Sequence, residues 1–174
     1  MPRNVQLSEI ESALNLLARK EKDKCWDGRD WTRMIKKQLI SLAEAHGCEA
    51  YASQCENGER AEWLYDVVWL RAGEGQYKGM LTDSPLVAEI EWARPEAVMD
   101  DFQKLLLARA DTRLMIFEAT NTTLAEKHVD KLIRQVRAYS RTGYGDRYIF
   151  ACLDNCRAEV KPYNFRCQEY VHQG

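Results

Sequence analysis

Three carboxylates lie within two apolar stretches of the chain, where charged side chains are uncommon. Glu89 and Glu91 belong to LVAEIEW, residues 86–92, and Asp66 belongs to WLYDVVW, residues 63–69. Successive side chains of a β-strand point to opposite faces, so Glu89 and Glu91 are expected to share one face. If the two stretches pair as neighbouring strands, Asp66 lies opposite one of the glutamates and the three carboxylates converge.

A carboxylate cluster of this kind needs compensation, because like charges repel and a buried carboxylate must be paired, hydrogen-bonded or bound to a cation. The interiors of the two strands contain no basic residue. A divalent cation such as Mg²⁺ would compensate the charge, since it takes oxygen ligands and usually one or two carboxylates. The alternative is structural: the two glutamates line a solvated face of the sheet, and Asp66 accepts hydrogen bonds from a loop.

The elements that must position these carboxylates can be predicted from hydrophobic periodicity. Helices are predicted over about 5–19, 30–46, 95–109 and 122–139. Strands are predicted over about 48–54, 62–71, 86–92, 113–119 and 147–153. Ser8 and Asp30 are the expected N-caps of the first two helices, and the glycine-rich residues 72–84 are expected to form a long hairpin loop.

This order predicts an α/β fold with a mixed central sheet flanked by helices. Three antiparallel strands come first, and two helical crossovers then lead to parallel or mixed strands. The 174 residues favour a single domain, residues 1–174. Its core covers about 30–153, preceded by the N-terminal helix 5–19 and followed by a C-terminal tail, 154–174, whose structure the pattern leaves open.

Composition restricts the classes of function. The net charge of −2 gives no overall attraction to nucleic acid, so a DNA-binding surface would have to be local. The N-terminal residues MPRNVQLSEI have no apolar signal-peptide core, and no window approaches a membrane span, so we expect a cytoplasmic protein without a membrane partner. The six cysteines include no Cys-x-x-Cys pair, and CLDNC, residues 152–156, has a three-residue spacer, which favours free thiols over a zinc site.

The acidic pattern resembles the PD-(D/E)XK nuclease superfamily. An acidic residue in one strand is followed by AEIEW in the next strand and by a helix with DFQKLL. Within the superfamily this is similar to restriction endonucleases of the BamHI and BglII kind, a Glu-x-Glu variant. Asp66 matches the first acidic position, Glu89 the second, and Glu91 stands where most members carry lysine. The order of elements over about 30–153 is similar to the superfamily's α-βββ-α-β core, although Tyr65, not proline, precedes Asp66.

This resemblance implies hydrolysis of DNA phosphodiester bonds that depends on Mg²⁺ or Mn²⁺. Asp66, Glu89 and the carbonyl of Ile90 would hold the metal ion. Glu91 would bind a second metal ion or orient the attacking water as a base. Lys104 is the candidate for the lysine that some members place on the following helix. Because it lies away from the apolar stripe of that helix, an ordinary solvated lysine is the alternative.

Contact with DNA is expected from two stretches with a local excess of positive charge, residues 19–37 and 131–147. In the second stretch, arginines at helical spacing form a stripe suited to phosphates. The alternative for either stretch is a solvated face. The residues expected to contact DNA are Arg134, Arg137, Arg141, Lys36 and Lys37.

The expected assembly follows from the single acidic set, because one site cuts one strand of a duplex. Cleavage of both strands therefore predicts a homodimer, and a partner protein that supplies recognition is a further expectation. One candidate interface is the apolar face of the first helix, which otherwise covers the core: Leu7, Ile10, Leu14 and Leu17. The alternative function is a non-catalytic member of the same fold that acts as a nucleic-acid or protein interaction module.

Overall fold

A computed structural model describes residues 4–21, 24, 26–52, 64–154 and 163–174. The described residues form a six-stranded mixed sheet with four flanking helices, which confirms the predicted α/β class. The strands are β1 (Glu49–Tyr51), β2 (Val67–Ala72), β3 (Leu81–Glu91), β4 (Thr112–Ala119), β5 (Arg147–Asp154) and β6 (Asn164–Val171). The helices are α1 (Leu7–Lys20), α2 (Gly28–Ala45), α3 (Pro95–Leu107) and α4 (Thr122–Ala138).

The strands lie in the sheet in the order in which they follow one another along the chain. β1, β2 and β3 pair antiparallel, and β3, β4 and β5 pair parallel. The two parallel connections need crossovers, and α3 and α4 supply them. β6 pairs antiparallel with β5 and forms the second edge of the sheet. The predicted antiparallel meander followed by two helical crossovers is therefore confirmed.

Two apolar layers hold the helices on opposite faces of the sheet. α1 and α2 pack on one face, and their buried residues belong to one hydrophobic cluster with alternate residues of the strands. α3 and α4 pack on the other face in a second cluster. β4 and β5 are buried along nearly their whole length because helices cover both of their faces. Glu89 projects toward the face that α3 covers, since its neighbours Ala88 and Ile90 belong to the opposite cluster.

Several element boundaries differ from the predictions. α2 is capped by Asp27, not by Asp30: the Asp27 side chain accepts the backbone N–H groups of Arg29 and Asp30 at 2.8 Å and 3.0 Å. Both hydrogen bonds lower the pKa of Asp27, and the bond from the Asp30 N–H has the larger effect. α1 begins before Ser8, and the backbone N–H of Gln6 donates to the Glu9 carboxylate at 2.8 Å. The N-cap thus lies two residues earlier than predicted in α1, at Gln6, and three residues earlier in α2.

The β2–β3 hairpin is longer and its loop shorter than predicted. β3 begins at Leu81, within the stretch expected to be loop, and an ion pair of 2.6 Å between Arg71 and Asp83 links the extended strands. The end of the chain left open by the sequence contains β6. Along β6 few side chains are buried, because the strand lies at the edge of the sheet, so its sequence lacks the apolar signal of the central strands.

The candidate dimer interface on α1 is wrong. Ile10, Leu14 and Leu17 are buried in the protein's own core, and Leu7 packs against the same cluster. The helix therefore covers the sheet, as the alternative interpretation held. No helix among the described residues is both long enough and apolar enough to cross a membrane.

The cysteines that the structure describes are free thiols. Cys48 and Cys152 are buried, and Cys167 is partly buried. Burial raises the pKa of Cys152 and Cys167 to about 12, so neither is an activated thiolate near neutral pH. The remaining three cysteines, including Cys156 of the CLDNC stretch, lie outside the described residues.

Candidate active site at Asp66 and Glu89

Asp66 lies directly before β2 and is oriented by the neighbouring strand. Its Oδ2 accepts the backbone N–H of Ile90 in β3 at 2.9 Å. The register of the two strands, with Val67 opposite Ala88, places Asp66 beside the Glu89–Ile90 segment. Two residues earlier, Leu64 has a backbone φ of 69°, a left-handed conformation that is strained for a residue with a branched side chain. The chain thus enters the site through an unusual turn, and Asp66 is fixed immediately after it.

Lys36 is the second member of the site. Its ammonium nitrogen lies 2.8 Å from Asp66 Oδ1, and its side chain is 2% exposed, against 18% for Asp66. The partner comes from α2, on the face of the sheet opposite α3. The charged stretch 19–37 predicts that Lys36 lies on a basic surface and contacts DNA. This prediction is wrong, because the structure buries Lys36 against a carboxylate, where it adds no charge to a surface.

A sequence signal for the burial of Lys36 does exist. Leu39 and Ala43 follow it at i+3 and i+7, and both are buried on α2. Residues at this spacing share a helix face, so Lys36 belongs to an inward stripe. The signal is obscured by the lysines and arginines around Lys36, which together resemble one charged, solvated stretch.

Glu89 is the most perturbed carboxyl group of the site. Its side chain is 4% exposed. Burial, followed by the negative charge of Asp66, raises the pKa of Glu89 to about 8. A hydrogen bond to the Asp66 side chain also favours the protonated form, and the positive charge of Lys104 opposes it. At neutral pH, Glu89 is therefore mostly protonated and shares its environment with Asp66.

One oxygen of Glu89 remains unsatisfied. Oε1 is buried and has no hydrogen-bond partner among the described residues. The nearest cation is the ammonium of Lys104, which at 3.6 Å is beyond ordinary hydrogen-bonding distance. Buried acceptors are normally paired, and leaving one unpaired costs about 1–3 kcal/mol. The site thus lacks a hydrogen-bond donor to this oxygen among the described residues.

Lys104 extends from α3 toward the two acids. Its ammonium lies 2.6 Å from Asp101 Oδ1, one turn earlier on the same helix, and half of its side chain is exposed. The hydrogen bond with Asp101, ahead of the charges of the acids, raises the pKa of Lys104. The lysine named from the sequence therefore lies beside Glu89, in a position that combines access to solvent with contact to the site.

Glu91 has a different environment from Glu89. Its Oε1 accepts the backbone N–H of Ala93 at 2.6 Å, two residues away, in a local turn. The groups that shift the pKa of Glu89 are Asp66, Lys104 and Asp101, with no contribution from Glu91. Within the described part of the chain, no group of three or more His, Cys, Asp or Glu side chains is arranged to hold a metal ion. The structure thus brings two of the three carboxylates together and holds the third by its own backbone.

The donor set at Asp66 and Glu89 is compatible with a hard divalent cation. Mg²⁺ commonly takes one or two carboxylates and completes its shell with water. Asp66 and Glu89 supply two, and the Oε1 of Glu89 accepts no hydrogen bond from the described residues, although the Lys104 ammonium lies 3.6 Å from it. Binding would have to displace a proton from Glu89, whose pKa is about 8.

The remaining residues predicted to contact DNA are distributed over the surface. Arg134 and Arg137 are exposed on α4, where Arg137 donates to the Tyr170 hydroxyl at 3.3 Å and lies over the Tyr170 ring. Arg141 is exposed in the loop after α4, and Lys37 is partly buried on α2. Lys37 and the α4 arginines are held by elements on opposite faces of the sheet. The five residues therefore do not form one continuous stripe.

Comparison with known proteins adds no assignment to this geometry. The chain matches no family model, no curated protein and no solved structure.

Proposed function

We propose that this chain is a metal-dependent DNA endonuclease with a restriction-endonuclease-like core, in which Asp66 and Glu89 hold Mg²⁺ or Mn²⁺. One observation carries the proposal: a buried glutamate oxygen without a hydrogen-bond partner lies beside a second carboxylate. Burial of Glu89 beside the negative charge of Asp66 disfavours its ionised form, and binding of a cation is a functional reason to retain this arrangement. The order of helices and strands around the two acids is also the one that the resemblance implies.

Each residue of the site has a distinct task in this proposal. The Ile90 N–H and the Lys36 ammonium fix both oxygens of Asp66, so its carboxylate is oriented before substrate arrives. Glu89 would release its proton to solvent on becoming a ligand. The carbonyl of Ile90 is the third ligand that the resemblance implies. When bound, the metal ion polarises the scissile phosphate and lowers the pKa of a water molecule.

Lys104 is the residue that we assign to the phosphate. Its ammonium lies near Glu89 and Asp101, and half of its side chain is accessible to a substrate. A cation in this position would stabilise negative charge that develops on the phosphate in the transition state. Glu91 was predicted to act as a base or as ligand to a second metal ion. Because the Ala93 N–H already holds its carboxylate, we assign it no step.

A non-catalytic role is the second candidate, and the Lys36–Asp66 pair favours it. The buried ammonium of Lys36 already compensates Asp66 without a metal ion. With Glu89 protonated, the site has little net charge to attract a cation. In that case the acids are structural, and the chain is an interaction module for nucleic acid or protein.

Cleavage assays separate the two functions. Supercoiled plasmid and linear DNA are incubated with Mg²⁺ or Mn²⁺, and nicked and linear products are quantified. We expect the parent chain to cut, and Asp66→Asn and Glu89→Gln to lower the rate roughly 100-fold or more, since a metal ion contributes several kcal/mol to such a reaction. Glu91→Gln is the matched control and should retain most of the activity. DNA binding without cleavage by the parent chain under either metal would support the interaction module instead.

A further inference from the structure

A second charged site lies away from Asp66 and Glu89, where α3 ends and β4 and β5 begin. A cavity of about 480 Å³ opens there between the last residues of α3, the start of β4 and the loop after α4. Three arginines and one carboxylate account for its charged lining. Besides the apolar end of α3, the lining consists of Arg109, Arg113, Arg141, Tyr139, Gly143 and Asp146. We refer to this cavity as the arginine pocket.

Arg113 is the buried centre of the arginine pocket. It is 6% exposed, and its Nη2 donates to the Ala108 carbonyl at 2.8 Å and lies 3.3 Å from Asp146 Oδ1. The guanidinium also lies over the Tyr148 ring, 5.2 Å from its centre. Its other nitrogens, Nε and Nη1, are buried and have no hydrogen-bond partner among the described residues. A guanidinium cannot shed its charge by losing a proton, so these two donors remain unsatisfied at every physiological pH.

The charge of the arginine pocket is positive and incompletely compensated. Arg109 and Arg141 are exposed at its edge, and Asp146 is the single acid in the lining. Asp146 is also engaged elsewhere, since its Oδ2 accepts the Gly143 N–H at 2.9 Å. Three cations against one anion concentrate a positive field in a concave site. Arginine groups suit phosphate in particular, because two parallel N–H donors match two of its oxygens.

The size and rim of the pocket indicate more than a bare phosphate ion. Its volume lies within the range of sites that bind small organic ligands, about 300–1,000 Å³. Leu107 contributes an apolar wall and is 70% exposed. Tyr144, beside the lining residue Gly143, is 82% exposed and offers an aromatic face. A nucleobase can stack on such a face whatever its sequence.

We propose that the arginine pocket binds a phosphate monoester of nucleotide size, with the phosphate on Arg113 and the exposed arginines and the nucleoside against Leu107 and Tyr144. Such a group occurs as a free mononucleotide or at the 5′ end of a nucleic-acid strand, and both present the same chemistry to the pocket. The site uses neither Asp66 nor Glu89. It therefore stands independently of the nuclease activity proposed above.

Calorimetric titration with deoxyadenosine 5′-monophosphate and with inorganic phosphate, in the absence of divalent metal, tests the pocket. We expect saturable binding of the nucleotide and weaker binding of phosphate. Arg113→Gln should weaken nucleotide binding at least tenfold. Because Arg113 is buried and this variant can lose stability, Arg109→Gln and Arg141→Gln, both at exposed positions, should each weaken binding several-fold. Arg19→Gln, an exposed arginine on α1, is the matched control and should bind like the parent chain.

The source of the phosphate is identified by a second titration, with one oligonucleotide prepared with a 5′-phosphate and with a 5′-hydroxyl. Preference for the phosphorylated strand that disappears in Arg141→Gln would assign the pocket to strand ends, and equal binding of both would assign it to free nucleotides. Absence of saturable nucleotide binding at millimolar concentration would overturn the proposal. Parental affinity in both Arg109→Gln and Arg141→Gln would overturn it as well. An Asp66→Asn chain should bind the nucleotide normally, so failure of the nuclease does not affect this result.

Discussion

The acidic site and the arginine pocket lie on the same face of the sheet. They differ in how a buried charge is compensated. Arg113 is in register with Val87, two residues before Glu89 on the neighbouring strand. Glu89 and Arg113 are each less than one-tenth exposed, and each has a buried polar atom without a hydrogen-bond partner among the described residues. Glu89 can become neutral by taking up a proton, whereas Arg113 must keep its charge and rely on Asp146, a carbonyl and an aromatic ring.

This difference indicates which ions each site can bind or release. At the acidic site a proton and a metal cation compete for the same oxygens, so binding is expected to depend on pH. At the arginine pocket the cation is permanent, and the missing component is an anion. Titration of Glu89 should therefore have a large effect on the first site and none on the second.

The largest stability effect should come from removing the buried partner of Asp66. Lys36→Met leaves the Asp66 carboxylate without its nearby ammonium, and we expect the free energy of unfolding to fall by about 3 kcal/mol, as for a broken buried ion pair. Lys104→Met is the matched control. Because half of the Lys104 side chain is exposed, this change should cost less than about 1 kcal/mol. Equal losses in urea denaturation would show that the buried pair is not the stabilising contact of the site.

A second effect should depend on pH. The folded-state pKa of Glu89, about 8, exceeds the ordinary value of 4.5, so the folded chain binds more protons than the unfolded chain between these values. Stability is therefore lost as pH rises from about 4.5 to 8. Glu89→Gln removes this loss, and its stability relative to the parent chain should increase between pH 5 and pH 7 by on the order of 3 kcal/mol.

Denaturation of both chains at pH 5, 7 and 9 measures the change. Arg113→Gln, which leaves the Glu89 carboxyl group in place, provides the comparison between the two sites. A constant difference between Glu89→Gln and the parent chain at all three values would contradict the burial of an acid with a raised pKa.

A smaller effect concerns Lys104 and the titration of Glu89. The positive charge of Lys104 lowers the pKa of Glu89 against the larger effects of burial and Asp66. Lys104→Gln should therefore raise that pKa further, by less than about one unit because the lysine is half exposed. Carbon-13 NMR of the Glu89 carboxyl carbon follows the titration directly. An unchanged pKa of Glu89 in Lys104→Gln would show that Lys104 does not act on the site and is an ordinary surface lysine.

The central elements could be predicted from the sequence, and the edges could not. Residues 86–92, 113–119 and 147–153 are apolar because both faces of the sheet are covered there, which gives an unmistakable signal. β6 lies at an edge, where packing demands little of the sequence, and its pattern predicts no strand.

The carboxylates of the candidate site could be predicted from the sequence. The groups that pair with them could not. Strand alternation placed Glu89 and Glu91 on one face, yet it could not show that β3 ends at Glu91, where a turn holds that carboxylate to Ala93. Lys36 reaches Asp66 from a helix 30 positions away along the chain, which depends on how α2 packs against the sheet. Long-range pairing of this kind arises from tertiary packing, for which one sequence contains no direct signal.

The metal site at Asp66 and Glu89 is tested most directly by calorimetric titration of Mn²⁺ or Mg²⁺ into the parent chain at pH 7, in buffers of different ionisation enthalpy. Because Glu89 is protonated at this pH, we expect binding that releases about one proton per ion, and loss of both binding and proton release in Glu89→Gln. Absence of metal binding at millimolar concentration, or equal binding by Glu89→Gln, would contradict the assignment of Asp66 and Glu89 as the metal site.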